Sequence, residues 1–178
     1  MSTAEEMART ELLKRASAAR AARIALARMD SSEFNALVLK DERTGAAVEQ
    51  APIHHRWHEL LAQNDRLVVW SHIESGKSSQ LTIGHTLWTL GRDPNKRVVI
   101  VSNTAGQSSK MVRTIARYIE SSPEMKAIFP DMEKDEPWTS SQLFLKRKTQ
   151  AKDPSVQATG VHGAVVGARV DLLILDDI

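Results

Sequence analysis

The chain has 178 residues, a formal net charge of +2 and no cysteine. This length fits one domain with a hydrophobic core, and the lack of cysteine excludes disulfide bonds, thiolate metal sites and a cysteine nucleophile. No stretch approaches the roughly 18 apolar residues of a membrane-spanning helix, and the N-terminus does not read as a targeting peptide. We therefore expect a soluble, cytoplasmic protein that makes no membrane contact.

The first 50 residues are predicted to be helical. Met1 to Met29 is rich in alanine, arginine and glutamate and contains neither glycine nor proline, which favours a long helix. A second helix is predicted after it, with Phe34 and Val38 on its buried face. The basic side chains of the first helix are candidate contacts for nucleic-acid phosphates, although a solvated face is the simpler interpretation. We assign residues 1–50 to a helical N-terminal arm and residues 51–178 to the main domain.

Three histidines, His54, His55 and His58, lie at the start of this domain. His54 and His58 are spaced to share one face of a helix, but no glutamate stands where a zinc-hydrolase helix requires it. Packing around Trp57 is therefore the favoured interpretation, and a position near a bound adenine is the functional alternative.

A candidate phosphate-binding loop follows the apolar run Leu67–Trp70. That run predicts a buried parallel strand, and the residues after the loop repeat at helical spacing. Gly76 lets the backbone approach a phosphate, Lys77 can reach the β- and γ-phosphates, and Ser78 can hold Mg²⁺. The Walker A pattern is incomplete, because Ser71 stands where its first glycine is expected. The candidate nucleotide-contacting residues are Ser71, His72, Ile73, Glu74, Ser75, Gly76, Lys77, Ser78 and Ser79.

Further strands and helices are predicted after the loop. Val98–Val101 is a β-branched run that predicts a second parallel strand, and Thr104 and Gln107 have the spacing of a capping box at the start of the next helix. Residues 143–145 and 156–158 predict a strand and a return strand. This order of elements is typical of the α/β class.

The last apolar run, Leu172–Leu175, ends in Asp176 and Asp177. It predicts a buried strand that delivers carboxylates to the sheet edge, as the Walker B strand of a phosphate-loop ATPase does. Ser78 and Asp176 are then the candidate metal ligands, with ATP and Mg²⁺ as the expected cofactors. Together the motifs predict a P-loop NTPase fold of the α/β class, with a mostly parallel central sheet flanked by helices and a helical N-terminal arm before it.

From about Pro52 to Ile178 the sequence resembles the N-terminal ATPase domain of the large terminase subunit, the motor that packages DNA into tailed-bacteriophage heads. Ser71 agrees with this family, whose members often lack the first loop glycine. Four stretches carry the resemblance, namely Trp70–Ser78, Leu90–Pro94, Val99–Thr104, and Gly167–Asp171 running into Leu173–Asp177.

The resemblance implies ATP hydrolysis that drives double-stranded DNA into the prohead. Lys77 is then placed on the β/γ-phosphates, Ser78 and Asp176 on Mg²⁺, and Asp177 beside the attacking water. The implied partners are the terminase small subunit and the portal protein of the prohead, in addition to DNA and a homo-oligomeric ring of this subunit, in the host cytoplasm. We also expect this chain to stop after the Walker B strand without a nuclease domain, and to be weak or inactive in isolation.

Arg169 is a candidate arginine finger, because it precedes the carboxylate strand in a glycine-flanked loop and arginine neutralises transition-state charge. A structural salt bridge with Asp171 is its alternative role. Two alternatives to the motor function also remain open. A helicase-like nucleic-acid translocase shares both motifs, and the missing first glycine is compatible with a nucleotide- or DNA-binding fragment that does not hydrolyse ATP.

Overall fold

The computed structural model describes residues 3–163 and 169–178, in which helices pack around a five-stranded sheet. A π-helical segment over Ser78–Gly84 continues directly into the fourth α-helix. Among the described helices none has the length and apolar character needed to span a membrane. The helices are α1 (Thr3–Met29), α2 (Ser31–Val38), α3 (Pro52–Gln63), α4 (His85–Arg92), α5 (Ala105–Ser121) and α6 (Pro123–Ile128). The strands are β1 (Val98–Ser102), β2 (Lys134–Trp138), β3 (Gln142–Leu145), β4 (Val156–Gly160) and β5 (Leu172–Asp176).

The sheet is mixed, with the strand order β2-β3-β4-β1-β5. Strand β1 is parallel to both β4 and β5, whereas the pairs β2–β3 and β3–β4 are antiparallel. The prediction of a mostly parallel sheet is therefore wrong, although the α/β class is confirmed. The connection between β3 and β4 is too short to contain the crossover helix that a parallel pair requires, so β4 returns alongside β3 in the opposite direction.

The predicted strand Leu67–Trp70 does not form. Val68 and Trp70 are 81% and 94% exposed, and within the described residues nothing pairs with this run in the sheet. Strand β1 lies beside β5 in its place. A strand is stable only where its N–H and C=O groups find partners on a neighbouring strand. The apolar run lacks such a neighbour here, so its composition alone does not make it a strand.

The carboxylate strand β5 forms as predicted but is only half buried. It pairs with β1 along one edge, and within the described residues its other edge has no partner. Leu173 and Leu175 are 52% and 54% exposed, whereas Leu172 and Ile174 pack against the core. Alternate side chains of a strand point to opposite faces, so this pattern shows that one face of β5 packs on the core and the other is exposed. The prediction that β5 is a fully buried strand is therefore wrong.

The predicted helix after Asp30 is confirmed as α2 and belongs to the core. The Asp30 carboxylate accepts hydrogen bonds from the backbone N–H groups of Ser32 and Glu33 at 2.7 and 3.0 Å, which is the N-cap geometry. Phe34 and Val38 are fully buried in one cluster with residues of α4, β1 and α5. Core residues thus come from both sides of residue 50, and the domain boundary placed there stays a prediction.

We expect Gly91→Ala to destabilise the chain by roughly 1–3 kcal/mol, the usual range for overpacking. A Cβ at Gly91 would overlap the ring of Phe129. Gly106→Ala in α5 is the matched control, because its Cβ would meet no atom closer than Thr104 Oγ1 at 3.9 Å. The control should be stabilised by up to about 1 kcal/mol, since alanine favours helix. Urea unfolding measures both, and equal shifts in one direction would contradict this packing.

Candidate phosphate-binding site

The loop between the Leu67–Trp70 run and the π-helical segment turns sharply at two residues. Glu74 and Gly76 have φ angles of +63° and +85°, in the left-handed region that glycine adopts readily and other residues adopt at a cost. A Cβ on Gly76 would also lie 3.3 Å from Nε2 of His54. Glycine at this position is therefore explained by backbone conformation and by close packing together.

Lys77 folds back over the loop. Its Nζ donates hydrogen bonds to the backbone carbonyl oxygens of Ser71 and His72, both at 3.1 Å. An ammonium group has three N–H donors, so one remains available for an anion, and the carbonyl contacts can be exchanged for phosphate oxygens. Ser71 thus contributes a backbone oxygen at the position where the usual pattern has glycine.

Ser78 and Asp176 meet although they are far apart in the sequence. Ser78 Oγ lies 3.1 Å from each carboxylate oxygen of Asp176. Thr82 Oγ1 also donates a hydrogen bond to this carboxylate, at 3.2 Å from Oδ1. Thr82 was missed by sequence reasoning, although its spacing of four residues from Ser78 places both hydroxyls on one helical face.

The Asp176 carboxylate is a buried negative charge that the nearby Lys77 compensates only weakly. The residue is 7% exposed, and within the described residues no lysine or arginine forms a salt bridge with it. Burial raises the pKa of Asp176 above its ordinary value, and repulsion from Asp177 adds to this, whereas the bonds from Ser78 and Thr82 and the positive charge of Lys77 oppose it. Such a carboxylate is electrostatically suited to a cation.

The remaining acidic and basic candidates lie at the surface. Asp177 directly follows β5, is exposed and has a φ angle of +51°. Arg169 is also exposed, and Gly167 before it lies outside the described residues. The alternative salt bridge between Arg169 and Asp171 is not formed, because Arg97 binds that carboxylate through Nε at 2.8 Å and Nη2 at 3.1 Å. These bonds from Arg97 lower the pKa of Asp171.

The three histidines lie on α3. His54 contacts the loop backbone, with Nε2 at 2.9 Å from the carbonyl oxygen of Ser75. Its ring centroid is 5.3 Å from that of Trp57, as the packing interpretation predicts. His55 and His58 bind serine hydroxyls of α2. Sequence reasoning did not find the contact between His54 and the loop.

Fold and site together define an α/β protein in which a loop with a lysine and a serine faces a buried carboxylate on a neighbouring strand. The chain is similar to the large terminase subunit of Enterobacteria phage T3, with 26% identity over 115 residues. This match covers 65% of the chain and 19% of the phage protein. No family model matches the chain. The similarity is distant, and it points to the family that the sequence motifs resemble.

Proposed function

We propose that the chain is the ATP-binding part of a terminase-type motor, which hydrolyses ATP to move double-stranded DNA into a phage prohead. The observation that carries this proposal is the contact between Ser78 and the Asp176 carboxylate at 3.1 Å. A hydroxyl at the end of a lysine-bearing loop and a carboxylate at the end of a strand form the paired arrangement that nucleotide hydrolysis uses. The distant similarity to a terminase large subunit supports it.

The residues at this site fit Mg²⁺ and a nucleotide. Mg²⁺ prefers oxygen ligands and is usually held by one or two protein groups together with phosphate oxygens. Ser78 and Asp176 supply such oxygens, and Asp176 forms no salt bridge with the described residues. When bound, Mg²⁺ neutralises charge on the phosphates during transfer. We propose that the chain itself contributes Lys77, which binds phosphate oxygens, and Asp177, which orients the attacking water.

Calorimetry of ATP binding, with Mg²⁺ and with a chelator, tests the proposed site. We expect binding that strengthens when Mg²⁺ is present. Equal affinity under both conditions would overturn the assignment of Ser78 and Asp176. Binding without turnover in the assembled protein would favour the alternative of a non-hydrolysing nucleotide-binding fragment.

The proposed partners follow from the motor function and from the family resemblance. They are double-stranded DNA, the terminase small subunit, the portal protein and further copies of this chain in a ring. We propose that it acts in the cytoplasm of the infected host, where DNA is packaged.

We propose that Arg169 acts on the nucleotide of a neighbouring subunit. Its side chain is exposed and makes no hydrogen bond or ion pair with the described residues. Arg169→Ala subunits alone and Lys77→Ala subunits alone should each lack ATP turnover in the assembled protein. A mixture should recover part of it, because Lys77→Ala subunits still offer Arg169 to an intact neighbouring site. Mixed assemblies that stay as inactive as the separate variants would contradict this role.

A further inference from the structure

The helix that follows the phosphate loop begins with a π-helical segment, Ser78–Gly84. Such wide turns are rare and occur frequently at functional sites. The backbone N–H of His85 donates to the carbonyl oxygen of Gln80 at the end of the segment. A carbonyl oxygen has two lone pairs, so the oxygen of Gln80 can accept a second bond from outside the helix.

Asn35 of α2 provides that second bond. Its Nδ2 donates to the backbone oxygen of Gln80 at 3.0 Å and lies 2.8 Å from the side-chain Oε1 of the same residue. Asn35 is fully buried. A Cβ at Gly84 would overlap the Asn35 amide, so this approach is possible only because residue 84 is glycine. Asn35 therefore contacts the wide turn at two places, Gln80 and Gly84.

His58 of α3 contacts the side-chain amide of Asn35. Its Nε2 lies 3.0 Å from Asn35 Nδ2 and 3.3 Å from Gln80 Oε1, and its Nδ1 lies 2.8 Å from Ser31 Oγ. Burial lowers the pKa of His58, which keeps the ring neutral near pH 7.

This polar cluster is costly for stability. Asn35 Oδ1 and Gln80 Nε2 are buried and find no hydrogen-bond partner in the described part of the chain. A buried polar atom without a partner costs roughly 1–3 kcal/mol. The Asn35 amide therefore gives hydrogen bonds to the Gln80 oxygens while its own oxygen has no partner among the described residues, which makes the contact with Gln80 its main interaction.

A second buried contact holds the loop itself. The backbone N–H of Ala51 donates to His54 Nδ1 at 3.2 Å, so Nδ1 is the unprotonated nitrogen of the neutral ring. Nε2 then carries the hydrogen and donates it to the carbonyl oxygen of Ser75 at 2.9 Å. This bond holds the residue directly before Gly76.

We propose that Asn35 and His54 are positioning residues, through which α2 and α3 hold the phosphate loop and the start of its helix in the geometry that binds nucleotide. Gln80, which Asn35 holds, lies between Ser78 and Thr82, the two residues that bind Asp176. A shift of this turn would move both hydroxyls away from the carboxylate. The inference rests on the proposed function, because it assigns these side chains a role toward its phosphate groups.

Two variants and their controls test the positioning role in the 178-residue chain. Asn35→Leu replaces the donor with an apolar side chain of similar size. Asn64→Leu, directly after α3, is the control, because Asn64 is exposed and its side chain binds only the carbonyl oxygen of Leu60 within the described residues. His54→Leu removes the other donor, and His54→Gln restores an N–H group at a similar position. His55→Leu is the control for the histidine, since His55 contacts Ser32 and not the loop.

Hydrogen exchange of residues 71–80 without nucleotide is measured first, and Mg·ATP affinity second. Asn35→Leu and His54→Leu should speed exchange of this segment and weaken affinity about tenfold, which corresponds to the loss of one well-placed hydrogen bond. His54→Gln should recover most of the affinity, and both controls should match the wild type. A merely structural role would lower the unfolding temperature without changing the affinity of the folded protein.

Unchanged exchange of the loop in both leucine variants would overturn the positioning role. So would wild-type Mg·ATP affinity in variants whose loop exchanges faster. If Lys77→Ala loses Mg·ATP affinity and neither leucine variant does, the positioning role is overturned and the proposed function stands. Absence of Mg·ATP binding by the wild-type chain overturns the proposed function, and the role of these residues toward nucleotide with it.

Discussion

Replacing Lys77 with alanine is expected to remove most of the ATP affinity of the chain while leaving its fold intact. Lys77 Nζ contacts only backbone oxygens of the loop, at Ser71 and His72, so the substitution removes no part of the hydrophobic core. A hydrogen bond to a charged group contributes about 1.5–3 kcal/mol. Loss of one such bond to phosphate weakens affinity by roughly 10- to 150-fold.

Lys96→Ala is the matched control for Lys77→Ala. Lys96 is exposed and precedes β1, at the end of the sheet opposite to Asp176, because β1 and β5 are parallel. Calorimetry should show wild-type ATP affinity for this control, and thermal unfolding should show an intact fold for both variants. ATP affinity in Lys77→Ala equal to that of the control would refute the assignment of the phosphate site.

Replacing Asp176 with asparagine is expected to have opposite effects on stability and on Mg²⁺-dependent binding. Burial raises the pKa of Asp176 above the ordinary value of 3.8, so the ionised carboxylate disfavours the folded state at neutral pH. Asparagine carries no charge and should raise the stability of the nucleotide-free chain by about 1 kcal/mol, or roughly 2–4 °C in unfolding temperature. The same change removes a proposed metal ligand, so the gain in ATP affinity from Mg²⁺ should largely disappear.

The pH dependence distinguishes this electrostatic effect from a change in packing. A folded-state pKa above the unfolded one means that the folded chain binds the proton more tightly, so this cost falls as the pH falls through the raised pKa. The stability gained by Asp176→Asn should therefore be largest near pH 7 and vanish in acid. Asp131→Asn, at an exposed carboxylate, is the control and should show neither effect. A gain in stability that is independent of pH would point to packing instead.

Local chemistry explains the predictions that the structure confirms. The α2 helix begins after Asp30 because that carboxylate caps two backbone N–H groups. Helix α5 begins after Thr104, whose side chain and that of Gln107 form the predicted capping box. Strand β1 forms at the predicted β-branched run. For the two helix caps the interacting groups lie within a few residues, so the pattern in the sequence contains the whole interaction. Strand β1 also depends on its pairing with β4 and β5.

The predictions that failed depend on partners elsewhere in the chain. Leu67–Trp70 has the composition of a strand but no neighbouring strand in the described residues, and its side chains are largely exposed. The β3–β4 pairing is antiparallel, and this makes the sheet mixed instead of mostly parallel. The β-propensity of a segment shows that the segment can form a strand. A neighbouring strand must still supply hydrogen-bond partners for its backbone N–H and C=O groups.

By itself the sequence determined the helix caps, the glycine of the turn at Gly76 and the order in which the loop and the carboxylate strand occur. These features follow from backbone geometry and short-range hydrogen bonds. Only the tertiary structure decided that Ser78 and Thr82 both reach Asp176, that Asn35 binds Gln80, and that His54 contacts the carbonyl oxygen of Ser75. Those contacts join segments that are distant in sequence, and their geometry is set by how the helices pack on the sheet. No local pattern contains that information.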